Sequence, residues 1–300
     1  MEYNTDKAKL ILKKNGKSFY WAGKFLSEKY INRAAELYSF CRALDDIADS
    51  GNPTSLRHLT DIKLNINNNL YSDIESSYSI KYPQFFNVSS KKAAMDLIDG
   101  LILDQKSILF EDVSELIRYS YHVAGTVGIM MCDALKCENQ DAKLFAIDLG
   151  IAMQMTNIAR DVLEDAKMGR RYIPASWIGN ISPEDIVSAV KKNDNKKYDT
   201  ISQGIKKLLT LADKYYISGA MGFRYLPFKT RMAISIASGV YRQIGIQLKR
   251  NNYNWYHGRQ VTSIPTKVRI TIIKIIEEIF RRKVFTQHQL ELHKFLKELI

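Results

Sequence analysis

Two aspartate pairs, Asp45/Asp49 and Asp161/Asp165, constrain this chain more than any other feature. Each is a D-x-x-x-D set inside a helical run, Leu37-Tyr-Ser-Phe-Cys-Arg-Ala-Leu-Asp-Asp-Ile-Ala-Asp49 and Gln154-Met-Thr-Asn-Ile-Ala-Arg-Asp-Val-Leu-Glu-Asp165. At i,i+4 on a helix two carboxylates share one face, about 5–6 Å apart at Cβ, and repel by a few tenths of a kcal/mol. One such pair is ordinary on a solvated surface. Matching pairs on separate helices describe either two solvated acidic faces or one negative cavity that a cation would relieve. Magnesium suits the second arrangement, because it binds through one or two carboxylates and fills its octahedron with water and phosphate oxygens.

Helical phase sharpens the choice. At about 100° per residue, Leu37, Phe40, Cys41, Leu44, Ile47 and Ala48 form an apolar core stripe. Tyr38, Arg42, Asp45 and Asp49 form a second stripe on its flank, with Asp46 turned further toward water. On the later helix Gln154, Asn157, Asp161 and Asp165 align in the same way, and the apolar Ile147 continues their line toward the helix start. A stripe that passes from apolar to amide to carboxylate describes the wall of a half-greasy, half-ionic pocket.

With 46% hydrophobic residues, only 6 Pro and 15 Gly in 300 residues, the chain can bury a sizeable core. Few breakers, long stretches of helical period and no alternating strand series predict an all-α fold in a single domain over 1–300. The N-terminus lacks the apolar stretch of a secretory signal, and no segment reaches the apolar length that spans a bilayer. Cys41, Cys132 and Cys137 make an odd set with no disulfide framework and no ligand pattern for zinc. A reducing cytoplasm is the simplest location. The net charge of +12 favours anionic partners. Its basic residues are scattered and carry no nucleic-acid-binding signature.

Along the chain, the pattern predicts a helix from about Asp6 toward Gly16, another over Ala22–Tyr30, and the first aspartate helix from about Asn32, stopped by Gly51-Asn-Pro53. Residues 61–90 read as short helices with loops, Lys91–Ser107 as a helix, and Ser114–Cys132 as another. Within the last, Ala124, Gly125 and Gly128 lower helix propensity, about 1 kcal/mol per glycine, which fits a close approach by a neighbouring helix or a ligand. A long helix runs from about Asp141 to near Gly169, with Pro174 beyond it. Lys191–Thr200 reads as a polar link, and helices resume from Ile201. The basic, amphipathic stretch 265–299 fits a terminal packing helix or one resting on a membrane surface.

Taken together, Lys17-Ser-Phe19, the Tyr38–Asp49 run, Tyr119-Ser-Tyr-His-Val-Ala-Gly-Thr-Val-Gly128 and Gln154–Pro174 resemble the squalene/phytoene synthase family of head-to-head prenyl transferases. Within it, Tyr241-Arg-Gln-Ile-Gly and Asn252-Tyr-Asn-Trp-Tyr-His-Gly-Arg259 are most similar to phytoene synthases. The resemblance implies an isoprenoid-synthase-type helical bundle around a central cavity. It also implies Mg²⁺, with Mn²⁺ as the alternative, held by Asp45, Asp49, Asn157, Asp161 and Asp165. Lys17, Ser18, Phe19, Arg42, Gln154, Arg160, Arg171 and Arg259 are the implied substrate contacts. Tyr38, Tyr119, Tyr172 and Tyr241 are implied near the reacting carbons, and His122 stands where squalene synthases often carry tyrosine. The implied reaction joins two geranylgeranyl diphosphates to phytoene through prephytoene diphosphate, without NADPH. A C30 relative acting on farnesyl diphosphate and a non-catalytic assembly factor are the alternatives. Peripheral membrane contact is a further expectation, since a hydrocarbon product leaves more easily into lipid than into water.

Overall fold

The computed structural model describes residues 5–105, 108–281 and 287–300. Its helices are α1 (Thr5–Asn15), α2 (Lys17–Gly23), α3 (Glu28–Ala48), α4 (Ser55–Asn67), α5 (Tyr71–Tyr78), α6 (Val88–Leu103), α7 (Val113–Ser120) and α8 (Thr126–Ala134). There follow α9 (Gln140–Arg160), α10 (Val162–Lys167), α11 (Ala175–Ile178), α12 (Pro183–Lys192), α13 (Asn195–Met221), α14 (Phe228–Arg250) and α15 (Ile264–Phe280). A π turn, Tyr121–Gly125, joins α7 to α8. Among the described residues β pairing is confined to one bridge, Leu109 to Arg171, and no helix is long and apolar enough to cross a membrane. The all-α expectation holds.

The bundle is organised around α9, which buries Ile147, Ile151, Met155 and Ile158 and packs against α8, α13 and α14. Glycine makes its crossing with α8 possible. A Cβ on Gly128 would stand 2.2 Å from the carbonyl oxygen of Ala146, and one on Gly150 would stand 2.2 Å from that of Ala124. The small residues singled out in sequence therefore mark helix-on-helix backbone contact.

Several boundaries move, each for a local reason. No helix covers Ala22–Tyr30: α2 ends at Gly23, Ser27 is extended at the N-cap, and α3 begins at Glu28. A Cβ at Gly23 would meet the Ile31 side chain at 2.3 Å, so the chain folds back on itself there. The long helix reaching to Gly169 is two helices, since Asp161 leaves helical geometry between α9 and α10. The polar link at Lys191–Thr200 is mostly helix. Only Asn193, left-handed at φ 53°, and Asp194, which caps α13 by accepting from the Lys197 amide, lie between α12 and α13. At the C-terminus α15 stops at Phe280, and a short turn follows at Leu290–His293. Ser107, the expected end of α6, and residues 1–4 and 282–286 lie outside the described residues.

Candidate active site

A cavity of about 350 Å³ opens between α2, α3, α8, α9 and α14. Along α9 its lining runs from Asn157 and Gln154 through Met153 and Leu149 to Phe145 and Ala142, a rise of roughly 22 Å. The amide and carboxylate end also carries Tyr38, Asp45 and Tyr241, while Phe223, Leu226 and Leu135 line the apolar end. This is the polarity that the two stripes implied.

At the polar end the Tyr241 hydroxyl donates to Asn157 Oδ1 at 2.9 Å, and Asn157 Nδ2 donates to Gln154 Oε1 at 3.2 Å. Phe19 stacks on Tyr241 with ring centroids 5.1 Å apart and meets Tyr38 at 6.4 Å. Burial pushes the Tyr38 hydroxyl up to about 12, so it stays neutral. Lys17 and Ser18 open α2 on the same side, with Lys17 exposed and electrostatically close to the buried Lys267.

The four aspartates fall into two states. Burial, reinforced by Asp49 and Asp104 against the pull of Arg42, holds the Asp45 carboxyl up at about 7. Asp165 is pushed up to about 8 by burial and Asp161, with Arg170 opposing. Among the described residues neither side chain accepts a hydrogen bond or forms an ion pair. Asp161 and Asp49, by contrast, are paired. Arg160 Nε reaches Asp161 Oδ1 at 2.7 Å and Arg259 Nε reaches it at 2.9 Å, while Arg170 meets Asp49 at 3.2 Å. Arg42 pairs with Asp46 one turn on. Apart from Arg42, which belongs to the first stripe, these cations arrive from neighbouring positions and from the distant loop at Arg259.

Other expected residues lie outside the cavity lining. Tyr119 and Tyr172 are buried and stacked with centroids 4.9 Å apart. Both hydroxyls donate to Asp104, each at 2.9 Å. Arg171 is not at the site. Its guanidinium is buried and donates to the carbonyls of Phe110 and Ile173 at 2.8 and 2.9 Å, so it ties the 108–111 segment to the stretch after α10. Its neighbour Arg170 faces the aspartates instead, bonding Asp49 and the Asp104 carbonyl. His122 Nδ1 lies 3.0 Å from the Asp96 carbonyl oxygen, away from the cavity lining. Asp104 and Arg170 thus join the aspartate cluster, and sequence reasoning missed both. Asp104 has no partner four residues away to draw attention to it, although it ends a helix as Asp49 and Asp161 do.

A second polar cluster sits behind α9. The buried Asp148 carboxylate meets His293 Nε2 and His288 Nε2, each at 2.7 Å, and accepts from Ser218. Both Nδ1 atoms are buried without a partner. A metal-bound imidazole carries its proton on the other nitrogen and needs an acceptor there. The geometry instead describes Nε2–H donors on a carboxylate, a clasp that holds the C-terminal segment to the bundle.

Cation fit is therefore best at the cavity mouth. Two carboxylates raised by burial and like charge, without protein partners, are the donors that a divalent ion with retained waters takes. The apolar remainder can shelter a chain of many CH₂ groups from water.

The squalene/phytoene synthase family profile matches residues 12–267. Over 268 residues the chain is 29% identical to a 15-cis-phytoene synthase of Enterobacter agglomerans, covering 85% of this chain and 90% of that protein. It is 32% identical over 255 residues to a phytoene synthase of Rhodobacter capsulatus, covering 81% and 73%. Among solved structures, a ligand complex of a dehydrosqualene synthase superposes with a TM-score of 0.76 at 26% identity, covering 90% of this chain and 94% of that one. The chain belongs to the squalene/phytoene synthase family and is a prenyl transferase of the isoprenoid-synthase helical fold, most like the phytoene synthases.

Proposed function

We propose that the chain, working as one prenyl-synthase domain, condenses two geranylgeranyl diphosphates head to head into prephytoene diphosphate and rearranges it to phytoene, each step releasing a diphosphate and a proton. The observation that carries this reading is the pair of raised carboxylates, Asp45 in the lining of a long apolar cavity and Asp165 beside it in the field of Asp104, neither bonded to a described side chain. Asp45, Asp49, Asn157, Asp161 and Asp165 would hold Mg²⁺, or Mn²⁺ in its place. The ion supplies neutralisation of diphosphate charge. Arg160, Arg259, Lys17 and Ser18 would take phosphate oxygens, and Arg160 and Arg259 would exchange Asp161 for the substrate as they did so. Phe19, Tyr38 and Tyr241 present ring faces to positive charge on the allylic carbons, worth on the order of 1–2 kcal/mol each when desolvated. The closed apolar walls exclude water that would otherwise capture such a cation.

A lining that extends roughly 22 Å along α9 supports a twenty-carbon tail, and each additional buried CH₂ favours the longer chain by about 0.8 kcal/mol. The likeness to a dehydrosqualene synthase structure supports a second reading, a C30 product from farnesyl diphosphate. The two separate in one experiment. The protein is incubated with geranylgeranyl or farnesyl diphosphate and Mg²⁺, with and without NADPH, and the products are identified. The expected result is phytoene, higher kcat/KM for geranylgeranyl diphosphate, no response to NADPH, and loss of turnover in EDTA that Mg²⁺ restores. Undiminished turnover in EDTA would refute the role of the aspartates, and a preference for farnesyl diphosphate would replace phytoene with the C30 product.

A further inference from the structure

The outer face of α15 is almost bare of polar side chains. Ile264, Val268, Ile272, Ile276 and Phe280 recur every four residues, and Ile279 fills the same face. All six are exposed, Ile264 by 67%, Ile276 by 51% and Phe280 by 79%. A helix of a soluble protein normally turns such a stripe inward. Here the inward face is a different one. Lys267, Ile270, Thr271 and Glu278 are buried where α15 packs on α14, and Glu278 is locked by Arg231 at 3.0 Å and Arg281 at 2.8 Å. The helix is thus anchored with its apolar side outward.

The surroundings are basic. Arg269 lies on the exposed face, and Glu277 at its edge is neutralised by Lys274 at 2.7 Å. On one flank Trp21 Nε1 donates to Thr271 Oγ1 at 3.0 Å, and exposed Lys24 lies over the Trp21 ring at 5.4 Å. Toward the C-terminal end of α15, Arg231, which pairs with Glu278, lies over exposed Phe228, next to exposed Lys229. An apolar stripe rimmed by Lys, Arg and aromatic rings is complementary to anionic headgroups over acyl chains. Two copies of this chain meeting through the same face would bring like charges together.

The position adds a reason. α2, the turn after it and α14 form the wall between this face and the cavity: Ala22, Leu26, Ala233 and Ala237 line the inside, while Trp21 and α15 cover the outside. At the C-terminal end of α15, Arg281 lies over Phe223, a residue of the apolar end of the cavity, at 5.6 Å.

We infer that the exposed face of α15, with the Trp21/Lys24 and Phe228/Lys229 rims, docks the protein on an anionic lipid surface and sets the apolar end of the cavity against it. The helix lies in the interface plane and does not span the bilayer. The role of this face in turnover rests on the proposed hydrocarbon product, whereas lipid binding by itself does not, and the two are measured separately.

The full chain is sedimented with vesicles of phosphatidylcholine alone and of equimolar phosphatidylcholine and phosphatidylglycerol, at low and high salt. The protein is expected to pellet with the anionic vesicles at low salt and less so at high salt. The double variant Ile272→Glu/Ile276→Glu changes exposed positions only. It should keep the wild-type melting temperature and prenyl transfer in detergent solution, but lose vesicle binding by about tenfold or more. A wild-type chain that stays in the supernatant with both vesicle types overturns the inference, as does a double variant that pellets like the wild type. A wild-type dimer in analytical ultracentrifugation that the double variant makes monomeric, without vesicle binding, gives the face to a second copy and also overturns it. Vesicle binding that persists in a chain making no phytoene supports the face and removes only the product assignment.

Discussion

Asp104 is the most informative residue to perturb, because its carboxylate serves the fold and the site at once. It is 9% exposed and accepts the hydroxyls of Tyr119 and Tyr172, each at 2.9 Å. Those hydroxyls lie 3.2 Å from one another. Asp104→Ala removes both acceptors; the two hydroxyls can still bond one another, so one donor is left unpaired, and a buried polar group left without its partner costs about 1–3 kcal/mol. For a chain of this size that lowers Tm by roughly 2–5 °C. Asp104→Asn keeps one acceptor oxygen and its amide can donate to the second hydroxyl, so only the charge-assisted part is lost, about 1–2 kcal/mol. The two variants also differ from wild type at the site. Asp104 is one of the negative groups that hold Asp45 and Asp165 up. Removing its charge lets both ionise at lower pH, so the acid limb of the kcat/KM profile should move down in pH in Asp104→Asn. Scanning calorimetry without substrate and a pH–rate profile with Mg²⁺ test both halves. An Asp104→Ala protein that melts with the wild type would refute the buried triad, and an acid limb that stays put or moves up would refute the electrostatic coupling.

Three other variants test local roles, two of them at neighbours that look equivalent in sequence. Gly128→Ala raises helix propensity by about 1 kcal/mol, yet its Cβ would stand 2.2 Å from the Ala146 carbonyl oxygen. Overpacking of that kind costs roughly 1–3 kcal/mol or more, so the urea midpoint should fall; an unchanged or higher midpoint would mean that α8 and α9 can separate freely. Arg171→Ala should lower Tm with kcat per folded molecule retained, since Arg171 bonds backbone carbonyls away from the cavity. Arg170→Ala should do the reverse, lowering kcat with a small change in Tm, and the opposite pattern would exchange their roles.

Legibility in the sequence followed the range of the interactions involved. The stripes on α3 and α9 were readable because helical phase is a local property, and Asp45, Gln154 and Asn157 do line the cavity. Arg170 and Arg171 were not separable on that basis. They follow α10 in a segment without helical phase, and the bridge between Leu109 and Arg171 decides which side chain turns inward. That bridge joins residues about sixty positions apart, which no local pattern reports. The pairing of Asp161 with Arg259 is of the same kind. Lys191–Thr200 misled for the converse reason: a run of Lys and Asn looks like a linker, but Asp194 caps α13 at once and solvated Lys side chains suit its exposed first turns.

One regularity joins the legible residues to the missed one. Asp49 is the C-cap of α3, Asp104 the C-cap of α6, and Asp161 the C-cap of α9. A helix C-terminus carries partial negative charge, and an acidic group there is disfavoured by about 0.3–1 kcal/mol, where Lys or Arg would be favoured. Three helices that end on aspartate therefore add backbone dipoles to carboxylate charge at one place. That they share one field follows from Arg170, which bonds both the Asp49 carboxylate and the Asp104 carbonyl, and from the push of Asp49 and Asp104 on Asp45. Arginines answer part of this charge, at Asp49 and Asp161, and leave Asp45 and Asp165 without a partner. A fold seeking stability alone would not end three converging helices this way. The arrangement is stable to the extent that protons occupy Asp45 and Asp165 or a cation replaces them, and only the second leaves the carboxylates as ligands. The excess negative field thus supports the proposed binding of divalent metal and diphosphate together, since neither alone would balance both the aspartates and the arginines released from them.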